Sequence, residues 1–309
     1  MIERNISRAI VTGPTGAIGT ALCKELAERG IHVFAVCRPD SGRIGAIPRH
    51  ENISVVSCDA AQLHRLEELI PDGADAFFHF AWAHTIGAGR NDMAAQIQNI
   101  RYTIDAVRAA AALGCKIFLG AGSQAEYGRV EGMLKPTTSC FPENGYGMAK
   151  LCAGQMSRTE AARLGIDHIW IRILSVYGPG DGPATMISSV ARQLLDAREP
   201  ALTEGIQLWD YLYSGDAARA FYLAAKSGVS GKIYPLGSGT ALPLKQYILQ
   251  LRDAIDPALP LGFGRIPYGP LQVMHLQADI SELSEDTGFI PSTEFADGIC
   301  KTIDWLKRN

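Results

Sequence analysis

The sequence predicts a doubly wound parallel α/β sheet with a smaller, mostly C-terminal lobe, and three observations carry that prediction. Short β-branched runs alternate with longer segments of 3.6-residue period through the first half of the 309 residues, as in βαβ units that build a parallel sheet. Glycine supplies 32 residues, an excess over the usual ~7% that points to tight turns or close backbone approaches. After Leu174 the alternation stops, and Tyr177 to Pro183, with three glycines and two prolines, reads as a loop leaving the sheet.

Taken in order, the expected strands are Ala9–Thr12, His32–Val36, Ser54–Ser57, Ala76–Phe80, Lys116–Ala121 and His168–Leu174. Ile18, Leu22 and Leu26 share one face of a helix that Gly30 ends. Ile97, Ile100, Ile104, Val107 and Ala111 mark a long helix over 93–112, stopped by Gly114, and a third helix runs over 145–164 to Gly165. Lys232–Gly237 returns to the sheet, Asp256 to Pro270 is irregular, and Ala296–Lys307 is a closing helix. The main domain therefore takes residues 1–174 and about 211–238, and the second lobe about 175–210 and 239–309.

With 47% apolar and 20% charged residues the chain is not disordered. Its net charge of −3, without runs of one sign, argues against a nucleic-acid partner. Uncharged stretches such as Ile266 to Ala278 are broken by Pro and Gly and fall short of the roughly 18 apolar residues of a membrane span. The opening MIERNISRAIVTG lacks a signal peptide's apolar core, so a cytoplasmic location is expected. Cysteines 23, 37, 58, 115, 140, 152 and 300 show neither CxxC nor metal-like spacing, so they are expected reduced, with no metal site.

Three glycines at intervals of three follow the first strand in Ile10-Val-Thr-Gly13-Pro-Thr-Gly16-Ala-Ile-Gly19. Gly13 permits the turn, Gly16 admits a pyrophosphate against backbone amides, and Gly19 lets the helix pack closely. A dinucleotide would lie on this helix N-terminus, against Gly13, Thr15, Gly16, Ala17, Ile18 and Gly19. No carboxylate follows the second strand until Asp40; Cys37 and Arg38 come first. Arg38 could pair with the 2′-phosphate of NADP or be a solvated strand-end residue, so NADP(H) is favoured and NAD(H) remains possible. Asp59, with Ala60 after it, could meet an adenine amino group, cap the next helix, or do both.

Tyr146 and Lys150 lie four residues apart, on one helix face. A nearby cation stabilises a phenolate, which makes a tyrosine a usable acid or base. Ser123 follows the fifth strand, at the carboxyl end where ligands bind in such sheets, and can hold a carbonyl oxygen beside Tyr146.

Together these motifs resemble the extended short-chain dehydrogenases/reductases, the nucleotide-sugar epimerase/dehydratase group with its Rossmann domain. The resemblance runs from Thr12–Gly19 through His79-Phe-Ala81, Asn99, Ser123 with Tyr127-Gly128, Tyr146/Lys150 and Arg172, then Tyr177-Gly-Pro179, Trp209-Asp-Tyr-Leu-Tyr-Ser-Gly-Asp216 and Gly288-Phe-Ile-Pro291 to Gly298–Trp305. It implies that Ser123 bonds a sugar C4 oxygen, that Tyr146 exchanges a proton with it, and that Lys150 holds the nicotinamide ribose. It also implies that Phe80, Ala81, Trp82, Leu174, Ser175 and Val176 line the cofactor. Asn99 would brace its helix and His79 would be packed; His84 could approach a ligand or be only a polar loop residue.

Three chemistries share this machinery. The family's dehydratases carry acids where Gln124 and Ala125 stand beside the substrate, so dehydration is not expected. Its epimerases retain NAD and carry an acid at the place of Cys37. GSQAEYG and WDYLY resemble the deoxysugar 4-ketoreductases, so NADPH-dependent reduction of a nucleotide 4-keto-6-deoxyhexose is the expectation. A 4-epimerase with retained NAD is the alternative, and a non-catalytic NADP-binding sensor or scaffold is the alternative of another class. Trp209 replaces an arginine that many members use on the substrate pyrophosphate; it could stack on the substrate or fill the core, with Arg192 or Arg265 as substitutes. A homodimer through helices 93–112 and 145–164 is also implied.

Overall fold

Seven parallel strands make the central sheet of the computed structural model, which describes residues 3–309. The first half of the chain forms β1 (Arg8–Thr12), α1 (Ala17–Glu28), β2 (His32–Cys37), β3 (Ile53–Ser57), α2 (Leu66–Leu69), β4 (Ala76–His79), α3 (Met93–Ala112), β5 (Ile117–Ser123), α4 (Gly145–Leu164) and β6 (Asp167–Ile173). The second half forms β7 (Ser175–Tyr177), α5 (Met186–Leu195), β8 (Leu208–Trp209), β9 (Tyr211–Tyr213), α6 (Ser214–Ser227), β10 (Ile233–Leu236), β11 (Leu242–Pro243), α7 (Leu244–Asp253), β12 (His275–Leu276), α8 (Ser281–Thr287) and α9 (Phe295–Arg308). The strand order is β3-β2-β1-β4-β5-β6-β10, so the order reverses between β1 and β4, where a doubly wound sheet opens its ligand crevice.

Both faces of the sheet are covered at its centre, so its inner strands are buried on both sides rather than alternating; every residue of β4 and β5 is buried, whereas the edge strand β3 buries only Val56. Leu22 and Leu26 of α1 join Ala217, Phe221 and Ala224 of α6 against one face. Ala106, Val107 and Ala110 of α3 and Ala161 of α4 meet Ile10, Phe77 and Phe118 on the other. Helices α3 and α4 begin and end where the sequence places them, because both are punctuated: Asp92 caps α3, Asn144 accepts from Gly147 N at 2.9 Å, and Gly165 leaves α4 at φ 72°. The fourth strand stops at His79, one residue earlier than expected, and the ring of Phe80 instead packs against Phe221, tilted by 56° with centroids 4.6 Å apart.

The second lobe is built on α5, α7 and α9, whose Ile187, Leu194, Ile248, Leu251, Ile299 and Ile303 share a core. Its small sheet has β8 between antiparallel β11 and parallel β12. β7 pairs with β9, so a two-stranded ribbon crosses the expected boundaries at 174 and 211. Asp210, fully buried, accepts from Ser238 N at 2.6 Å and from Gly239 N and Ala278 N at 3.1 Å each. The lobe is thereby fastened to the segment leaving β10.

Candidate active site

A cavity of about 580 Å³ opens at the carboxyl ends of β1 to β4. Of the residues expected on a cofactor, Gly13, Thr15, Arg38, Asp59, Ala60, Ala81 and Trp82 line it. Gly13 has φ +70°, and a Cβ there would lie 2.8 Å from Ala81 N. A Cβ on Gly19 would overlap the Gly13 carbonyl, whereas one on Gly16 would meet nothing nearer than 3.8 Å. The turn is therefore tight at its ends and open in the middle. Gly16 caps α1 without a side chain and no acid follows in the first turn, so the amides of Ala17 and Ile18 are left for an anion. These features fit a dinucleotide pyrophosphate.

At the far end of the cavity stand Arg38, Ser41 and Arg43. Exposed Arg38 lies 3.4 Å from exposed Asp40, a weak pairing. Arg43 donates to Thr15 O at 2.5 Å and to Gly180 O at 3.2 Å, linking the glycine turn to the loop after β7. Asp59 caps the turn at Ala60 by accepting from Ala61 N at 2.9 Å and still faces the cavity, so both expected roles are open to it. Ser41 and Arg43 carried no motif of their own; their common signal is two arginines flanking a Ser-Gly pair just beyond a strand end.

Trp82 joins this cavity to the reacting groups. Its Nε1 donates to Gln96 Oε1 at 2.9 Å, and Gln96 in turn donates to His84 O at 3.1 Å. Asn99 bonds both N and O of Ala83 at 3.0 Å, bracing the loop after β4. Below them His79 is buried between Thr12 Oγ1 at 2.9 Å and Thr103 Oγ1 at 3.3 Å. Burial, and then the Lys150 charge, depress its pKa to about 3, so it is a neutral packed strand residue. His84 reaches the cavity rim at φ 58°.

Ser123, Tyr146 and Lys150 converge beside Trp82. Ala125 N donates to Ser123 Oγ at 3.2 Å, which leaves the hydroxyl proton free to donate outward. Lys150 Nζ donates to Ala121 O at 2.6 Å and sits 3.7 Å over the Trp82 ring and 5.8 Å from the centre of the Tyr146 ring. Burial pulls its pKa down to about 7, with Glu126 acting the other way. Burial pushes the Tyr146 phenol up, while a hydrogen bond with Ser123 and the charge of Arg90 pull it down. Two residues that the sequence reading did not assign hold this group. Glu126, with no exposed surface, accepts from Ser123 N at 2.8 Å, Trp170 Nε1 at 2.9 Å and Arg172 Nε at 2.7 Å. Arg90 lies 4.8 Å over the Tyr146 ring.

The other expected residues are dispersed. Leu174 is buried against Tyr127 and Leu276, Val176 packs on the sheet core, and Ser175 accepts from Trp209 Nε1 at 2.7 Å. Trp209 is half-buried among lobe residues, in line with core packing. Gln124 is half-buried and Ala125 buried, and neither can supply a carboxyl group.

A glycine-turn cavity beside a Ser, Tyr and Lys cluster on a seven-stranded parallel sheet marks an NAD-dependent enzyme of the Rossmann type. Residues 9–237 match the NAD dependent epimerase/dehydratase family, and the chain belongs to it. It is an enzyme of the nucleotide-sugar epimerase/dehydratase kind. Its relatives include the dTDP-glucose 4,6-dehydratase of Streptomyces antibioticus, 24% identical over 97% of this chain and 92% of that protein. The UDP-glucose 4-epimerase of Azospirillum brasilense is 25% identical over 96% and 91%. Among solved structures, the UDP-N-acetylglucosamine 4-epimerase of Methanobrevibacter ruminantium in complex with UDP-N-acetylmuramic acid shares the fold at TM-score 0.88 and 21% identity, covering 100% of this chain and 99% of that one. The UDP-glucuronic acid 4-epimerase of Bacillus cereus in complex with NAD does so at 0.84 and 21%, covering 97% and 99%.

The buried lysine has a consequence for stability. Between its folded pKa of about 7 and its ordinary 10.5 the unfolded chain holds a proton that the folded chain lacks, so stability rises with pH across that window. Lys150→Met removes the cost of neutralising or burying the ammonium. Urea denaturation should find the variant more stable than the parent at pH 7, with the gain shrinking as pH approaches 10.5.

Proposed function

We propose that the protein reduces the C4 ketone of a nucleotide-linked 4-keto-6-deoxyhexose with NADPH. The observation that carries this reading is the ribose end of the cavity, where Arg38, Ser41 and Arg43 gather and buried Cys37 stands in place of a carboxylate. An acid at the end of β2 suits the ribose hydroxyls of NAD, whereas two guanidinium groups suit a 2′-phosphate. Release and rebinding of cofactor in every cycle favours a contact of this polar, solvent-facing kind.

When bound, the nicotinamide supplies the hydride. Tyr146 gives its phenolic proton to the sugar O4, and the Ser123 hydroxyl donates to the same oxygen, stabilising negative charge as it develops. Lys150, fixed by the Ala121 carbonyl, holds the ribose and favours the phenolate left behind. Gln124 and Ala125 supply no acid or base for eliminating water, which sets this chain apart from its dehydratase relatives. Trp209 is engaged by Ser175 and Arg265 pairs with Glu199 at 2.8 Å. Arg192, whose Nε is buried without a partner, is the cation assigned to the substrate pyrophosphate.

Purified protein should oxidise NADPH when given a nucleotide-linked 4-keto-6-deoxyhexose, read by loss of reduced-nicotinamide absorbance. Tyr146→Phe should lower turnover by about 10²–10⁴-fold while NADPH affinity stays near that of the parent. NADPH binding without turnover on any keto sugar would make the protein a sensor or scaffold. Interconversion of two nucleotide hexoses without added cofactor would establish the epimerase.

Helices α3 and α4 pack side by side and expose Met93 and Ile97 on one, Met148 and Met156 on the other. Such a patch on a long helix pair suits a second copy of the chain, and a homodimer belongs to the proposal. Light scattering should give twice the chain mass, and Ile97→Glu should return it to that of one chain.

A further inference from the structure

Arg90 lies in the glycine-containing turn Gly87–Asn91 that follows β4. Its guanidinium carbon sits 4.8 Å from the centre of the Tyr146 ring, its Nε is buried without a hydrogen-bond partner, and no carboxylate among the described residues pairs with it. Arg90 is half-buried, and an arginine whose Nε is withdrawn from solvent is usually spent on an ion pair. This one is directed onto an aromatic ring instead.

The turn that carries it is fastened to the first residue of α4. Gly145 N donates to Asn91 Oδ1 at 2.9 Å, and a Cβ on Gly145 would lie 3.0 Å from the Arg90 carbonyl oxygen. On its other side the turn is held by Gln96 Nε2, which donates to Gly89 O at 3.2 Å. The turn that carries Arg90 is therefore held to the start of α4 through Asn91 and to α3 through Gln96.

From the elements around it, the phenol is faced by Arg90, by Lys150 of α4, by the Ser123 hydroxyl, by the neutral indole of Trp82, and by the buried carboxylate of Glu126. Glu126 opposes a phenolate. Lys150 favours one, but its ammonium is turned to the Ala121 carbonyl and the Trp82 ring, and burial leaves it only partly charged near neutral pH. A guanidinium keeps its charge at every accessible pH. We propose that Arg90 is a positioning residue: it supplies the constant positive charge that sets the proton affinity of Tyr146 and keeps its ring aimed at the reacting oxygen. The assignment rests on Tyr146 being the proton donor proposed above.

The test reads the phenol directly, in the full chain without substrate, so that it does not depend on the identity of the sugar. The ¹³Cζ signal of Tyr146, assigned by its loss in Tyr146→Phe, is followed by NMR up to pH 11 in the parent, in Arg90→Gln and in Arg90→Lys. The parent and Arg90→Lys should titrate alike, and Arg90→Gln should titrate about one pH unit or more higher. With a keto sugar that is turned over, the alkaline limb of kcat/KM should move upward by the same amount in Arg90→Gln. Equal midpoints in the parent and Arg90→Gln overturn the proposal, as does a parent phenol that stays protonated throughout as the variant does. An equal rise in Arg90→Lys and Arg90→Gln also overturns it, because charge would then not be the cause. Absence of turnover with every keto sugar, beside a clear upward shift in Arg90→Gln, counts against the proposed reaction and leaves the charge assignment standing.

Discussion

The site depends on the way one indole and one carboxylate are buried at the end of β5. Trp170 of β6 lies across Gly120 and Gly122 of β5 and against Gly154 of α4, and a Cβ on any of the three would collide with the ring. The missing side chains make a slot, and filling it brings α4 to a fixed separation from the sheet. Glu126 then closes the slot, accepting from the indole Nε1, from Arg172 Nε and from Ser123 N. A buried carboxylate is tolerable only when its lone pairs are met by donors and its charge is opposed. Here both conditions fix catalytic geometry, because one of the donors is the backbone of Ser123. At the start of α4 the same closeness recurs, where a Cβ on Gly147 would overlap the Ala125 carbonyl. Packing thus brings Ser123, Tyr146 and Lys150 together at the end of β5.

Electrostatics within this frame are arranged by distance and burial rather than by net charge. Arg172 beside Glu126 is opposed by a full negative charge, so the two neutralise each other inside the sheet. Lys150 has no such partner in contact, and burial therefore costs it part of its proton affinity. That lysine is consequently ready to respond to whatever binds: hydroxyl groups brought against the ammonium replace some of its lost solvation. In the proposed binding mode the anionic groups of a cofactor are left to other donors, namely the open amides after Gly16 and the arginines beyond β2. A chain of net charge −3 can hold a polyanion in this manner because each phosphate is met locally.

The parts legible in the sequence are those set by short-range chemistry. The boundaries of α3 and α4 follow from capping residues and terminal glycines, and the expected inner strands follow from runs buried on both faces, with β3 read from its β-branched residues at the sheet edge. The glycine turn and the Tyr146/Lys150 spacing are equally local. The lobe's sheet was not legible: β8, β11 and β12 are two residues each, too short for a period, and their partners lie far away in sequence. Glu126 was hidden for another reason. As the third residue of a capping box in a turn it reads as a solvated helix-start acid, and only the closure of the sheet over it shows that it is buried. Arg90, in a polar turn between Gly89 and Asn91, looks like a surface residue until α4 is laid against it. Trp209 was left between two roles because an indole fits either; its bond from β8 to Ser175 of β7 gives it a place in the lobe's packing.

The Ser, Tyr and Lys arrangement is symmetric with respect to the direction of hydride transfer, since a tyrosine that can give a proton can also take one back. What separates reduction from epimerisation is therefore remote from the reacting carbon. An epimerase must keep its reduced cofactor until the ketone has been presented on its other face, which calls for many buried contacts along the adenosine. In this chain that part of the cavity has a buried floor of Val36, Cys37, Cys58 and Leu63 and a rim of exposed Arg38 and Arg43 and half-buried Ser41. Contacts between a phosphate and solvent-facing guanidinium groups gain modestly and are weakened by salt, so they select a cofactor without sealing it in. Two cations on a solvent-facing rim are what the proposed exchange of NADPH at every turnover calls for.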